Sequence, residues 1–297
     1  MEFDEEQGGR YMARAGMSTV GDKRLFGTLQ VTNGRVSNLL SLLGKPVDKL
    51  DGSLSGTVDL GGTYGNPSLN VVGSIKDVTI DTKVVGDAKI DASLENRKFK
   101  IRTLKLPVDD GLIAAGGTVD LDGDADLQIA VRDVDIEPFL PLIGDNINAT
   151  GSVTGVINMT GATKNPKVEL SASLANGSYN GIDIDQGFVL ATMENHVINV
   201  QRIQGVKEDY KLSAYGKIPL AALYTTGYLD ANDSKAMDMT IDFNEADMAV
   251  IPLITPTVKD ATGALKGVVH VTHIALLTTL LLSASLQAVE KPYDYVF

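Results

Sequence analysis

The sequence repeats itself. A shift of 99 residues places Gly52, Gly56, Gly62, Asn66 and Pro67 on Gly151, Gly155, Gly161, Asn165 and Pro166. Without a gap, the same shift carries Glu95 and Asn96 onto Glu194 and Asn195, and Gly117, Val119 and Leu121 onto Gly216, Ile218 and Leu220. A chain of this kind is built from one supersecondary unit that packs on copies of itself. A partial third copy opens at Gly263 and Gly267, 112 residues beyond Gly151 and Gly155, after a longer connection from Leu220 to Asp233. The tail of a preceding copy stands at the start, where Val36 to Gly44 leads into Gly52 as Ile136 to Gly144 leads into Gly151. The expected division is a poorly ordered segment 1–23, the end of a preceding repeat with a short helix at 24–51, repeat units at 52–150 and 151–262, and an aberrant partial repeat at 263–297. The chain reads as cut from something longer at both ends.

Inside a unit the apolar residues recur at spacing two. The opening segment presents Leu54, Gly56, Val58 and Leu60, then Val153, Gly155, Ile157 and Met159, then Leu265, Gly267, Val269 and Val271. The intervening positions are mostly polar, Ser55, Thr57 and Asp59 among them. This is a half-buried strand. A second such strand carries Leu69, Val71, Gly73 and Ile75, and again Val168, Leu170, Ala172 and Leu174. The Gly-x-x-x-Asn-Pro between them is turn chemistry, since Gly permits positive φ and Pro can only open a strand. Further strands are expected at Val78 to Ile80, Ala88 to Leu94, Lys98 to Leu104, Ile113 to Leu121 and Leu127 to Val131. Short helices are expected where Val36, Leu39, Leu40 and Leu43, and Ile136, Phe139, Leu140 and Ile143, follow helical spacing, with a weaker one at Val250, Leu253 and Ile254. With Pro138, Pro141 and Pro252 in or beside them they need something to pack on.

The fold class is therefore all-β. Strands with one apolar face must cover it with each other, as a sandwich, or curl around a ligand as a trough. Periodicity does not separate these. The proposed lining is Leu54, Val58, Leu60, Leu69, Val71, Ile75, Val153, Ile157, Met159, Val168, Leu170, Leu174, Leu265, Val269 and Val271. With 5% aromatics and no Trp, such a lining suits acyl chains better than sugars or bases. A formal charge of -12 and no basic cluster disfavour nucleic acid as a partner. The absence of Cys excludes thiolate metal sites and disulfides.

The order of a short Leu-rich helix (Leu39 to Leu43), a Gly-x-x-x-Gly strand (Gly52 to Leu60), Gly-x-x-x-Asn-Pro (Gly62 to Pro67) and an alternating strand (Leu69 to Ile75), repeated at Ile136 to Ile143 and Gly151 to Leu174, resembles the repeats of the TamB and AsmA-like proteins of diderm bacteria. The resemblance covers roughly residues 24 to 272. It implies a long β-sheet groove with short helices between repeats, a β-taco-like trough that carries phospholipid acyl chains between inner and outer membranes. It also implies a periplasmic location, a partner in outer-membrane assembly, and an inner-membrane anchor in full-length relatives. The segment Met1 to Ser18 has no apolar core of a signal or anchor, so membrane contact would come from parts outside this chain. No cofactor is called for.

The third copy departs from the pattern. Where the second copy has Gly161 to Glu169, the third has His273 to Leu281, without Gly or Asn-Pro, before Leu170 to Leu174 is repeated identically at Leu282 to Leu286. A local reading-frame slip, with a premature end at Phe297, would account for this. Gly267 to Val289 carries no charged residue and reaches the length of a membrane span, but its ends align with strands. Asp120, Asp122, Asp124 and Asp126 fail as a calcium loop, because Ala125 and Val131 stand where Gly and Glu are required; Asp122-Gly123 reads as a hairpin turn. His196, His270 and His273 lack partners for a zinc site or a triad. Gly61-Gly62 and Gly116-Gly117 lack the Lys-Ser/Thr of a phosphate loop. The Asn-x-Ser/Thr triplets at Asn148, Asn158, Asn176 and Asn232 read as coincidental in a bacterial protein. No constellation supports an enzyme. The alternative is a structural or adhesive β-repeat surface protein whose apolar faces close on each other.

Overall fold

The computed structural model describes residues 2–4, 8–38, 49–143, 148–208, 210–223, 236–247, 264–273 and 283–286. They form two compact units, one of residues 1–147 with 152–166, the other of 148–151 with 167–297. The structure is all-β and antiparallel, with only short helical pieces.

In the first unit each strand pairs with the next in the chain. The strands are β1 (Glu2–Asp4), β2 (Arg10–Met17), β3 (Leu25–Arg35), β4 (Leu50–Thr63), β5 (Asn66–Ile80), β6 (Lys83–Glu95), β7 (Lys98–Val108), β8 (Gly111–Asp120), β9 (Asp124–Asp135) and β10 (Ala149–Ala162), the last from Ser152 onward. The second unit continues in the same manner with β11 (Lys167–Tyr179), β12 (Ile182–Glu194), β13 (Val197–Lys207), β14 (Tyr210–Pro219), β15 (Ala236–Asp247), β16 (Ala264–His273) and β17 (Ser283–Leu286). Turn chemistry explains the connections. Asn96 and Arg97 both sit at positive φ (50° and 61°), as do Asn195 and His196 (51° and 60°), the geometry that matches the twist of a two-residue hairpin.

The repeat is visible in the register itself. Pairing breaks between Ile101↔Gly117 and Leu104↔Ala115, and again, 99 residues on, between Val200↔Gly216 and Ile203↔Ala214. Glycine is required there: Gly117 and Gly216 have φ of 137° and 145°, and a Cβ on either would lie 2.1 Å from a carbonyl oxygen of the neighbouring strand. A second break, between Val131↔Gly155 and Val134↔Val153, recurs 112 residues on between Phe243↔Gly267 and Ala246↔Leu265. After Leu121 and Leu220 the copies part. Both residues donate a backbone hydrogen bond to the preceding turn, to Arg97 O and His196 O, but the first chain then turns into β9 while the second enters the helix α2 (Leu220–Leu223).

Several expectations need correction. Residues 1–23 are not simply loose, since Glu2–Asp4 and Arg10–Met17 are strands; Tyr11, Ala13 and Ala15 alternate opposite Val31, Leu29 and Gly27. Val78 to Ile80 is no separate strand but the end of β5, carried past a bulge at Asp77. The helix α2 falls in what read as a plain connection. The helix expected at Ile136 to Ile143 is present as a 3-10 turn, Glu137–Phe139, and α1 (Leu140–Ile143). Residues 36–38 are helical; Leu39 to Leu43 and Val250 to Ile254 lie outside the described residues. So does most of the aberrant window His273 to Leu281, with the frame slip read there, although 267–273 and 283–286 of the candidate span are strand. Among the described residues no helix is long and apolar enough to cross a membrane. Within each unit the strands form an antiparallel sheet, as the all-β fold class requires.

Candidate functional site: an open apolar face

Residues directly opposite in an antiparallel pair share a face. The registers of the first unit therefore line up apolar rows across the strands. One row runs Leu60, Leu69, Leu94, Phe99, Val119 and Ala125. The next runs Leu29, Val58, Val71, Ala92, Ile101, Gly117, Leu127 and Met159. A third contains Val31, Gly56, Gly73, Ile90, Leu104, Ala115, Ile129 and Ile157. The reverse face presents Thr28, Asp59, Asn70, Ser93 and Lys100 at matching positions. There Arg102, the extra residue of a bulge, donates from Nε to Asp91 Oδ1 (2.7 Å) and from Nη1 to Ser93 Oγ (2.9 Å).

The proposed lining falls into this pattern in two groups. Leu54, Val58 and Leu60 stand directly opposite Ile75, Val71 and Leu69, and Val153, Ile157 and Met159 close the far side of the same unit on β10. Val168, Leu170 and Leu174 on β11 and Leu265, Val269 and Val271 on β16 belong to the second unit, with β12 to β15 between them. The residues of β3 and β6 to β9 in the rows above were missed as lining. Their signal was present, but bulges stretch the spacing from two to three at Ile101 to Leu104, Val131 to Val134 and Ile75 to Val78, and this conceals the alternation.

Cover decides what the face can do. All the proposed lining of the first unit is only half-buried. One margin is different: Val78, Ile80, Val85 and Ala88 are buried, and Phe139 of the 3-10 turn packs against them with Leu50, Ile75 and Leu106. Lys49 Nζ donates to Pro141 O at 3.0 Å and Lys83 pairs with Glu137, pinning the helical piece over that margin. In the second unit Phe243, Leu265 and Val269 are 1%, 5% and 3% exposed and form a core with Leu212, Ile241 and Val271.

The two margins of the first unit also differ in charge. At the hairpins beyond Leu60, cations Lys23, Arg24, Arg97, Lys98 and Lys164 balance Asp22, Glu95, Asp120, Asp122 and Asp124. Arg97 is paired with Asp122, which raises the guanidinium pKa and lowers that of the carboxyl, in both cases mainly through their hydrogen bond. At the plugged margin Arg35, Lys49, Lys76, Lys83 and Arg132 are outnumbered by Asp51, Asp77, Asp81, Asp87, Asp109, Asp110, Asp133, Asp135 and Glu137.

The remaining candidates do not assemble into a site. Asp122 and Gly123 form the turn between β8 and β9, with Asp122 N bonded to Asp120 Oδ1. His196 occupies a hairpin turn, and His270 Nδ1 lies 3.1 Å from Thr240 Oγ1. Among the described residues no group of His, Asp and Glu is arranged to hold a metal ion. No protein-family model and no solved structure matches this chain.

Proposed function

We propose that this protein is a non-enzymatic segment that carries phospholipid acyl chains on an apolar β surface, as the resemblance to TamB and AsmA-like repeats implies. A periplasmic setting between two membranes and a partner in outer-membrane assembly belong to the same proposal. The observation that carries it is the continuous set of apolar rows from Leu29 to Met159, in which Val31, Ala92 and Ala125 are buried but the proposed lining residues are only half-buried among the described residues. Soluble proteins rarely leave so extended an apolar surface partly exposed. An acyl chain laid on it gains about 0.8 kcal/mol per methylene removed from water.

A second reading, a structural β-repeat protein closed on itself, draws support from the buried Phe243, Leu265 and Val269 of the second unit. Mass spectrometry of lipids that co-purify with the native chain, repeated after delipidation, separates the two. Phospholipid at reproducible stoichiometry supports the carrier. A well-folded, monomeric, lipid-free protein supports the closed alternative.

A further inference from the structure

We infer that Asn180-Gly181, the two-residue tip of the β11–β12 hairpin, is a site of spontaneous chemical modification in the folded chain, where Asn180 converts to aspartate and isoaspartate. This stands independently of the carrier reading.

The sequence holds three Asn-Gly pairs, at 33–34, 176–177 and 180–181. In such a pair the second residue has no side chain to hinder ring closure. The Gly backbone nitrogen, on losing its proton, attacks the Asn Cγ, and the side-chain amide leaves as ammonia. The five-membered succinimide so formed takes up one water and opens at either carbonyl. One opening gives aspartate; the other gives isoaspartate, with the main chain routed through the side-chain carboxyl. Water is the only co-reactant.

All three asparagines share one backbone conformation, with φ of 53° at Asn33, 49° at Asn176 and 49° at Asn180. Their surroundings separate them. Gly34 is buried against Tyr11 and Val31 and stands in the ladder opposite Leu54. Asn33 is also held by Ser55, whose Oγ accepts from Asn33 N at 3.0 Å and donates to Asn33 Oδ1 at 3.3 Å. Gly177 is buried against Leu174 and stands in the ladder opposite Ile184. Asn180 and Gly181 are both exposed, and nothing lies within 4 Å of where a Gly181 Cβ would stand. The ladder closes at Tyr179↔Ile182, so Gly181 N lies outside it. Asn148 O accepts from Asn180 N at 2.9 Å, which is not the attacking nitrogen. Attack at Gly34 or Gly177 requires its strand to open first, and attack at Gly181 does not.

The product bears on the hairpin itself. Asn180 and Gly181 both have positive φ, the geometry of a two-residue turn that matches strand twist. Isoaspartate adds a carbon to that main chain and places a carboxylate near Asp183 and Asp185 in the sequence, so conversion loosens the tip.

The test ages the full chain at mildly alkaline pH, folded in buffer and, in parallel, unfolded in guanidinium chloride. Fragment-resolved mass spectrometry then reads each Asn separately. In the folded chain Asn180 should convert at least roughly tenfold faster than Asn33 or Asn176, because only those two wait on local opening. In the unfolded chain the three rates should converge. Conversion of Asn33 or Asn176 as fast as Asn180 in the folded chain overturns the assignment, as does an Asn180 that stays intact when folded while all three convert when unfolded. Asn180→Gly keeps a residue suited to positive φ and removes the side-chain amide. It should abolish most of the methyl transfer that an isoaspartyl methyltransferase makes to the aged folded chain; undiminished methylation places the isoaspartate elsewhere and overturns the assignment.

Discussion

Asp133 and Thr154 clasp each other across the bulge between β9 and β10: the Asp133 backbone N–H donates to Thr154 Oγ1 at 2.9 Å, and that hydroxyl donates to Asp133 Oδ1 at 3.0 Å. Asp133 sits at φ 50°, a left-handed conformation that Asp tolerates because its short side chain bonds locally. Asn33 at φ 53° is held by Ser55 Oγ, and Asp77 at φ 50° by Asp87 Oδ1, each through its own backbone N–H. One device, an Asn or Asp in the left-handed region opposite an oxygen-bearing side chain, thus kinks β3, β5 and β9 and keeps their apolar rows in phase across each break.

The first prediction tests that clasp. Asp133→Val forces a β-branched residue into positive φ and removes the acceptor, and should cost about 1–3 kcal/mol. Thr154→Val leaves the Asp133 N–H without its partner and should cost about 1–2 kcal/mol. Asp133→Gly, free of backbone strain, should cost less than Asp133→Val. Urea unfolding of the three variants reads the order, and an Asp133→Val protein as stable as the parent would dismiss the bulge as a source of strain.

Glycines supply the second prediction. Gly117→Ala would drive a methyl to 2.1 Å from Asp126 O, and Gly216→Ala to 2.1 Å from Asp238 O, so strands must shift and each should lose about 2 kcal/mol or more. Gly205 has an ordinary φ and nothing within 4 Å of its missing Cβ. Gly205→Ala should therefore be neutral or stabilise by about 0.4–1 kcal/mol through the unfolded chain. Thermal denaturation distinguishes these signs directly.

Much of this architecture was legible in the sequence. Spacing two marked Leu54 to Leu60 and Leu69 to Ile75 as strands, and a shift of 99 residues marked the repeat that the register at Gly117 and Gly216 reproduces. What stayed hidden has physical causes. A bulge adds a residue, so Ile101 and Leu104 are three apart yet share a face, and simple alternation loses them. Whether a sheet curls or stays open depends on accumulated twist and on bulges between strands far apart in sequence, which no local pattern encodes. The plug at Phe139 was foreseeable as a helix, but its seat on Val78, Ile80 and Val85 is a tertiary fact.

Acid titration gives the third prediction. The Arg97 hydrogen bond holds the Asp122 carboxyl below the ordinary carboxylate range. A depressed folded-state pKa contributes stability that is present above the unfolded value and lost as pH falls through the folded one. Asp122 is exposed, so the effect on stability is small, but its carboxyl resonance should titrate late on acidification. In Arg97→Ala the midpoint should move up toward that of a free Asp. An unmoved midpoint would show that the pair does not persist in solution.

The fourth prediction separates a face that is open from one that is closed. Ile157 stands opposite Ile129 in a half-buried row of the first unit, whereas Phe243 is 1% exposed in the core of the second. A carboxylate at Ile157 can keep water around it, so Ile157→Asp should leave the β-sheet circular dichroism and cooperative unfolding in place while bound lipid falls sharply. At Phe243 the charge has no such escape, and truncation of an aromatic core residue alone costs about 3–5 kcal/mol. Phe243→Asp should therefore unfold the second unit. Loss of folding in Ile157→Asp, to the degree seen with Phe243→Asp, would mean that the first unit's face is closed in solution, and the carrier reading would fall with it.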